Sequence, residues 1–281
     1  MTMMPDLFME ETGNPDGVPI LFIHGGGGAN WTWEEVTPYL KDYRCILPDL
    51  QEHGKTGLSA GDFSISSSSL LLAQLIRDRI PAGKAHVVGL SIGAQIVADM
   101  LAVVPDVIES AIISSAQLLP MPGDQLGIYS ETFMAPIYWM GIAPFKKCDP
   151  WIRINMKYAA GIPDRYFQIF KENFQTMTRN AWTHVMVENF RFRLPAGMER
   201  VHALVLLLAG IKEYGSIHDS HKLLADLIPD NQAFLVGANK NWSMAQDHNW
   251  PMNDPQLFAE TVKAWVSGKS LPKALKLMKS G

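Results

Sequence analysis

Between residues 18 and 266 the sequence alternates short, nearly continuous apolar runs with amphipathic stretches at helical spacing, and few folds accept that rhythm. A strand without polar alternation is buried on both faces. A sheet buried on both faces needs helices above and below it, so the pattern predicts an α/β fold with a mostly parallel central sheet. Strands are expected at residues 19–24, 43–47, 85–90, 108–114, 203–209 and 232–236, with 7–12 as an antiparallel edge. Helices are expected at 69–79, 92–103, 220–228 and 255–266. Thr32 and Glu35 have capping-box spacing, which predicts another helix to about residue 40, where Pro38 obscures its end.

The rhythm breaks once. Residues 117–200 offer no convincing strand, only aromatic and Met-rich helical segments punctuated by Pro136, Pro144, Pro150, Pro163 and Pro195. The expected organisation is therefore a core of residues 1–116 and 201–268, a helical cap or lid of 117–200, and a basic tail of 269–281. Lys269, Lys273, Lys276 and Lys279 space that tail as a surface helix or a frayed terminus.

With 281 residues, 47% of them apolar and 19% charged, the chain can bury a sizeable core without staples. A net charge of -4 gives no reason to expect nucleic acid, whose binding depends on Lys and Arg neutralising phosphates. Two cysteines, Cys45 and Cys148, cannot supply a disulfide framework or a four-ligand metal site. Residues 1–11 lack the pattern of a secretory leader, and the longest apolar run, 203–209, is too short to span a bilayer. These features predict a cytoplasmic protein with no stable membrane insertion and, with nucleic acid set aside, leave a small-molecule substrate and a homodimer open as its partners.

The chemical signal is Gly89-Leu90-Ser91-Ile92-Gly93, a G-x-S-x-G between the apolar run 85–88 and a helix. Chance produces this pattern in roughly one chain in ten of this size, but seldom on a strand-to-helix corner. There a sharp turn lifts the serine hydroxyl above the sheet, and small neighbours let the backbone segments approach. A nucleophilic Ser91 needs donors for the oxyanion that forms when it attacks a carbonyl. Ile92 N–H, at a helix N-terminus, is one. The loop His24-Gly25-Gly26-Gly27-Gly28 supplies the second, with Gly26 the first choice and Gly25 the next. A phosphate-binding loop is the competing reading, but no G-K-[ST] follows and no acidic ribose partner is set up.

These segments, with Pro48-Asp49-Leu50-Gln51-Glu52-His53-Gly54 and Asp247-His248-Asn249-Trp250-Pro251, give the chain a resemblance to the α/β-hydrolase superfamily of the kind with a helical cap. The resemblance covers nearly the whole length. Members usually show glycine where Glu52 stands, a departure expected to bear on loop shape rather than on chemistry. The family's order of nucleophile, acid and base implies that His248, after the final parallel strand, is the general base. Of the other histidines, His24 and His53 belong to loop motifs, His86 to the nucleophile strand, His184 and His202 to the end of the insertion, and His218 and His221 to a helix start. The resemblance also implies that the acid follows the strand 203–209, where Glu213 stands, with Asp219 as runner-up and Asp247 too close in sequence to orient His248.

The reading that follows is a serine carboxylesterase acting through an acyl-enzyme, without metal or organic cofactor, on a small to medium apolar ester. Trp139, Met140 and Phe170 are expected to line its pocket. Arg179, Arg191 and Arg193 either pair with a substrate carboxylate or, more plainly, form a solvated face. Carbon–carbon bond hydrolysis and cofactor-free perhydrolase or peroxidase chemistry use the same triad, and a non-catalytic small-ligand receptor is the alternative of another class.

Overall fold

The computed structural model describes residues 6–238 and 240–278. Its centre is an eight-stranded sheet in the order β1-β3-β2-β4-β5-β6-β7-β8. The strands are β1 (Met9–Gly13), β2 (Pro19–Ile23), β3 (Arg44–Pro48), β4 (Ala85–Leu90), β5 (Ile108–Ser114), β6 (Leu204–Gly210), β7 (Asn231–Val236) and β8 (Lys276–Leu277). From β3 to β7 all neighbours are parallel, while β1 and β8 close the two edges antiparallel.

Alternate residues of each strand serve opposite faces. Leu21 and Ile23 join Val87, Ile113 and Leu207 under the helices α1 (Ile65–Arg79) and α2 (Ile92–Val103). Ile20 and Phe22 instead join Trp33, Trp250 and Phe258 on the other face. Each such fully buried side chain contributes about 1.5–3 kcal/mol. Local chemistry sets the helix ends. Ser64 Oγ accepts from Ser67 N–H to start α1, and Arg77 and Arg79 sit in its last turn, where the helix dipole favours cations.

Between β5 and β6 the chain forms α3 (Glu131–Gly141), α4 (Asp149–Ile154), α5 (Phe167–Thr176) and α6 (Arg179–Arg191). Ile152, Met156, Tyr166, Phe167 and Phe174 build a separate apolar cluster there, which takes in Ala29, Trp31 and Met252 from outside the segment. The remaining helices are α7 (Gly215–Leu227), α8 (Met244–His248), α9 (Trp250–Asn253) and α10 (Pro255–Val266).

Several expectations need correction. The capping box at Thr32 does not start an α-helix; residues 30–33 and 37–39 form two short 3-10 turns. The Glu35 carboxylate pairs with Arg165, so it does not cap Thr32. Pro136 lies inside α3 and does not end it. The tail is not a helix where it is described: residues 276 and 277 pair with β7, and Met278 N–H donates to Ala233 O. Lys279 and residues 1–5 of the N-terminal segment lie outside the described residues.

Candidate active site

Ser91 occupies the corner between β4 and α2 with φ +56° and ψ -118°, a left-handed φ that a residue with a Cβ seldom adopts. Its N–H donates to Ser114 O at 2.9 Å. The flanking glycines are sterically required. A Cβ on Gly89 would lie 2.4 Å from Gly93 O, and one on Gly93 would lie 2.3 Å from Ile23 O.

The glycine loop after β2 approaches from the side, and a Cβ on Gly25 would sit 3.3 Å from Ser91 Cβ. His24 fixes this loop from beneath. Its Nε2 accepts from Leu50 N–H at 3.0 Å, so the proton resides on Nδ1, 2.8 Å from Gly25 O. Burial pushes the imidazole down to about 4, outweighing the bond to Gly25, and so keeps it neutral. Because C=O and N–H point in opposite directions across a trans peptide, holding Gly25 O turns Gly26 N–H the other way. Ile92 opens α2, so its N–H has no partner within the helix.

His248 ends α8, whose start is a capping box between Ser243 and Gln246. Its Nε2 is 3.0 Å from Ser91 Oγ, and its Nδ1 is 2.6 Å from Glu213 Oε1. Glu213, on the turn after β6, is buried, and its Oε2 accepts from Gly210 N–H and from Ser115 Oγ. Burial alone would raise this carboxyl. The hydrogen bond and charge of His248, with Gly210 N–H, outweigh it and hold the group below the usual carboxylate range.

The alternatives to Glu213 are elsewhere. Asp219 is exposed and faces Lys222. Asp247 is buried and accepts from Lys212 N–H at 2.6 Å, bracing the turn rather than the imidazole. Ser115 itself has φ +56°. No sequence signal marked it as a partner of Glu213, because the pair are 98 residues apart in the chain.

Ser91 and His248 open onto a cavity of about 640 Å³, whose walls include the loop 25–28 and, from the helical segment, Phe170, Phe174, Met177 and Val185. Of the three residues expected to line the pocket, Phe170 lies in this wall. Trp139 and Met140 do not: they are 60% and 70% exposed, because α3 turns Met134 and Tyr138 inward and these two outward. Arg191 and Arg193 both pair with Asp124, and Arg179 bonds Asn180. Glu52, His53 and Asn249 also contribute to the cavity wall, as does Asn173, whose buried Nδ2 has no partner. Glu52, Asp62 and His184 bring metal-ligand-type atoms within 4.8 Å of one another, but Glu52 and His184 already satisfy each other at 2.7 Å.

A sequence profile described as the alpha/beta hydrolase fold matches residues 18–186. The chain belongs to the α/β hydrolase fold family. It is similar to an AB hydrolase superfamily protein of Gibberella zeae, at 24% identity over 92% of this chain and 83% of that one. Lipase 3 of a Moraxella species is 31% identical over 90% of this chain and 81% of its own. Among solved structures, a thermophilic esterase from Thermogutta terrifontis superposes with a TM-score of 0.72 at 17% identity, covering 93% of both chains. This α/β hydrolase is accordingly an enzyme. Among its described residues no helix is long and apolar enough to cross a membrane.

Proposed function

We propose that this enzyme is a serine hydrolase that cleaves small to medium apolar carboxylic esters through an acyl-enzyme. The observation that carries the reading is the chain of contacts Ser91 Oγ, His248 Nε2, His248 Nδ1 and Glu213 Oε1 at the edge of a mainly apolar cavity. Ser91 Oγ attacks the ester carbonyl while its proton passes to His248 Nε2. Glu213 holds the imidazole in the tautomer that can accept this proton and stabilises the imidazolium. Gly26 and Ile92 N–H groups receive the oxyanion, with Gly25 the alternative to Gly26, and each donor is worth roughly a hundred- to a thousandfold in turnover.

His248 then returns the proton to the leaving alkoxide, and afterwards activates water to release the acid. The segment 117–200 serves as a cap over residues 1–116 and 201–268. Phe170, Phe174, Met177 and Val185 on its inner side supply the apolar contact area that an acyl chain needs. A series of p-nitrophenyl esters of rising acyl length tests the reading. Turnover is expected for short and medium chains and lost in Ser91→Ala. Equal rates for wild type and Ser91→Ala across the series would overturn it.

A further inference from the structure

The helix that ends in His248 has five residues and the next has four, too few for either to be stable on its own hydrogen bonds. Something outside must hold the loop that carries the imidazole. The contacts identify it as the inserted segment, not the sheet alone. Asn249 Nδ2 donates to Ala160 O, and Asn253 Nδ2 donates to Gly161 O at 2.9 Å. The same Asn253 amide donates to Asn249 O at 2.9 Å, so one side chain spans both sides of the junction.

The fit is tight from the other side as well. Gly161 adopts φ +66°, and a Cβ there would lie 2.0 Å from Ala245 O, near the start of α8. Just before it, residues Asn155–Ala159 widen into a π-helical turn, a distortion that often accompanies functional sites. Asn155, Ala159 and Ala160 also face the cavity, beside His248 and Asn249. One short segment thus forms cavity wall on one side and the seat of the histidine loop on the other.

We propose that Asn253, assisted by Asn249, is a positioning residue that sets His248 against Ser91 by docking its loop on Ala160 and Gly161. The seating of the cap segment and the aim of the general base are then one event. This inference rests on the ester-hydrolase reading for its kinetic consequence, but its geometric content can be read separately.

The test compares wild type with Asn253→Ala, Asn253→Asp and Gly161→Ala. With the p-nitrophenyl ester preferred by wild type, kcat should fall at least tenfold while KM stays within about twofold, because the defect lies in proton transfer and not in holding substrate. In proton NMR spectra the hydrogen-bonded Nδ1 proton of His248, identified by its loss in His248→Ala, should shift or broaden in the variants. A lowered urea midpoint with unchanged kcat and an unmoved Nδ1 resonance would reduce the contacts to a structural role and overturn the proposal. If Gly161→Ala does not fold, the Asn253 variants decide, since they alter one side-chain amide. If wild type hydrolyses no ester, the functional reading fails while the NMR comparison still judges the clamp.

Discussion

The fully buried carboxylate of Glu52 lies 2.7 Å from His184 Nδ1, joining the loop after β3 to helix α6 of the inserted segment. Glu52 also accepts from Phe63 N–H at 3.0 Å, and nearby Glu188 of α6 accepts from Ile65 N–H at the start of α1. Glu52 makes its contacts from φ +59°, the left-handed region that glycine favours. Glu52 thus combines a backbone conformation that suits glycine with a side chain that ties two parts of the molecule together, so its bearing is on contacts as well as on the loop shape expected from the sequence.

Two variants separate strain from pairing at this position. Both Glu52→Gly and Glu52→Ala lose the bond to His184, but only alanine retains a Cβ in the left-handed region. Glu52→Gly should be the more stable of the two by about 1 kcal/mol. Urea unfolding of both measures the difference, and equal stabilities would contradict the strain.

The elbow makes a steric prediction. A Cβ on Gly93 would meet Ile23 O at 2.3 Å and His24 O at 2.6 Å, so Gly93→Ala must push α2 away from β2. A loss of about 1–3 kcal/mol is expected, with reduced activity. Gly141, at the end of α3 with open space around it, is the control, and Gly141→Ala should be neutral or slightly stabilising. Thermal unfolding of the pair checks both signs.

Glu213→Gln keeps the shape of the acid but not its charge, and the amide can present the wrong group to His248 Nδ1. Turnover is expected to fall on the order of a thousand- to ten-thousandfold, with KM little changed. Steady-state kinetics on a p-nitrophenyl ester gives the answer. A loss below tenfold would mean that the carboxylate contributes little to orienting the base.

Acid should weaken the fold before it titrates most carboxylates. Burial lowers His24, His53 and His221 each to about 4 from an ordinary value of 6.5. Above 6.5 both native and unfolded chains hold these imidazoles neutral, and stability is undiminished. Between 6.5 and about 4 the unfolded chain takes up protons that the native state refuses, so stability falls as pH falls. The Glu213 contribution is lost only as pH falls through its own depressed value. Urea midpoints should be lower at pH 5 than at pH 7.5. An unchanged or higher midpoint at pH 5 would contradict the neutral burial of the three rings.

Legibility in the sequence followed the physics of each element. Strands β4 and β5 were readable to the residue, because the apolar runs 87–88 and 111–113, buried on both faces, outweigh the polar positions His86 and Glu109 near their starts. The corner position of Ser91 was readable because its G-x-S-x-G stands at the end of β4, whereas His248 and Glu213 were placed by the order of roles that the resemblance implies: Glu213 follows β6 closely, but a loop and the rest of α8 separate His248 from β7. Thr32 and Glu35 misled because a local capping pattern competes with tertiary pairing, and here Arg165, 130 residues away, takes Glu35. Trp139 and Met140 misled for another reason. Apolar composition marks a helix of the insertion as rich in large side chains, but which side faces the cavity depends on the helix's rotation about its axis. The Asn253 clamp and the Ser115 bond to Glu213 join remote polar groups of common type and leave no pattern in the chain.

The most direct test of the central claim is stoichiometric labelling by a fluorophosphonate probe, followed by mass spectrometry of the tryptic peptides. The wild-type enzyme should acquire one phosphonyl group, on Ser91, and His248→Ala should label at least a hundredfold more slowly at neutral pH. A folded wild-type protein that stays unlabelled, or that reacts equally fast without the His248 imidazole, would contradict the account.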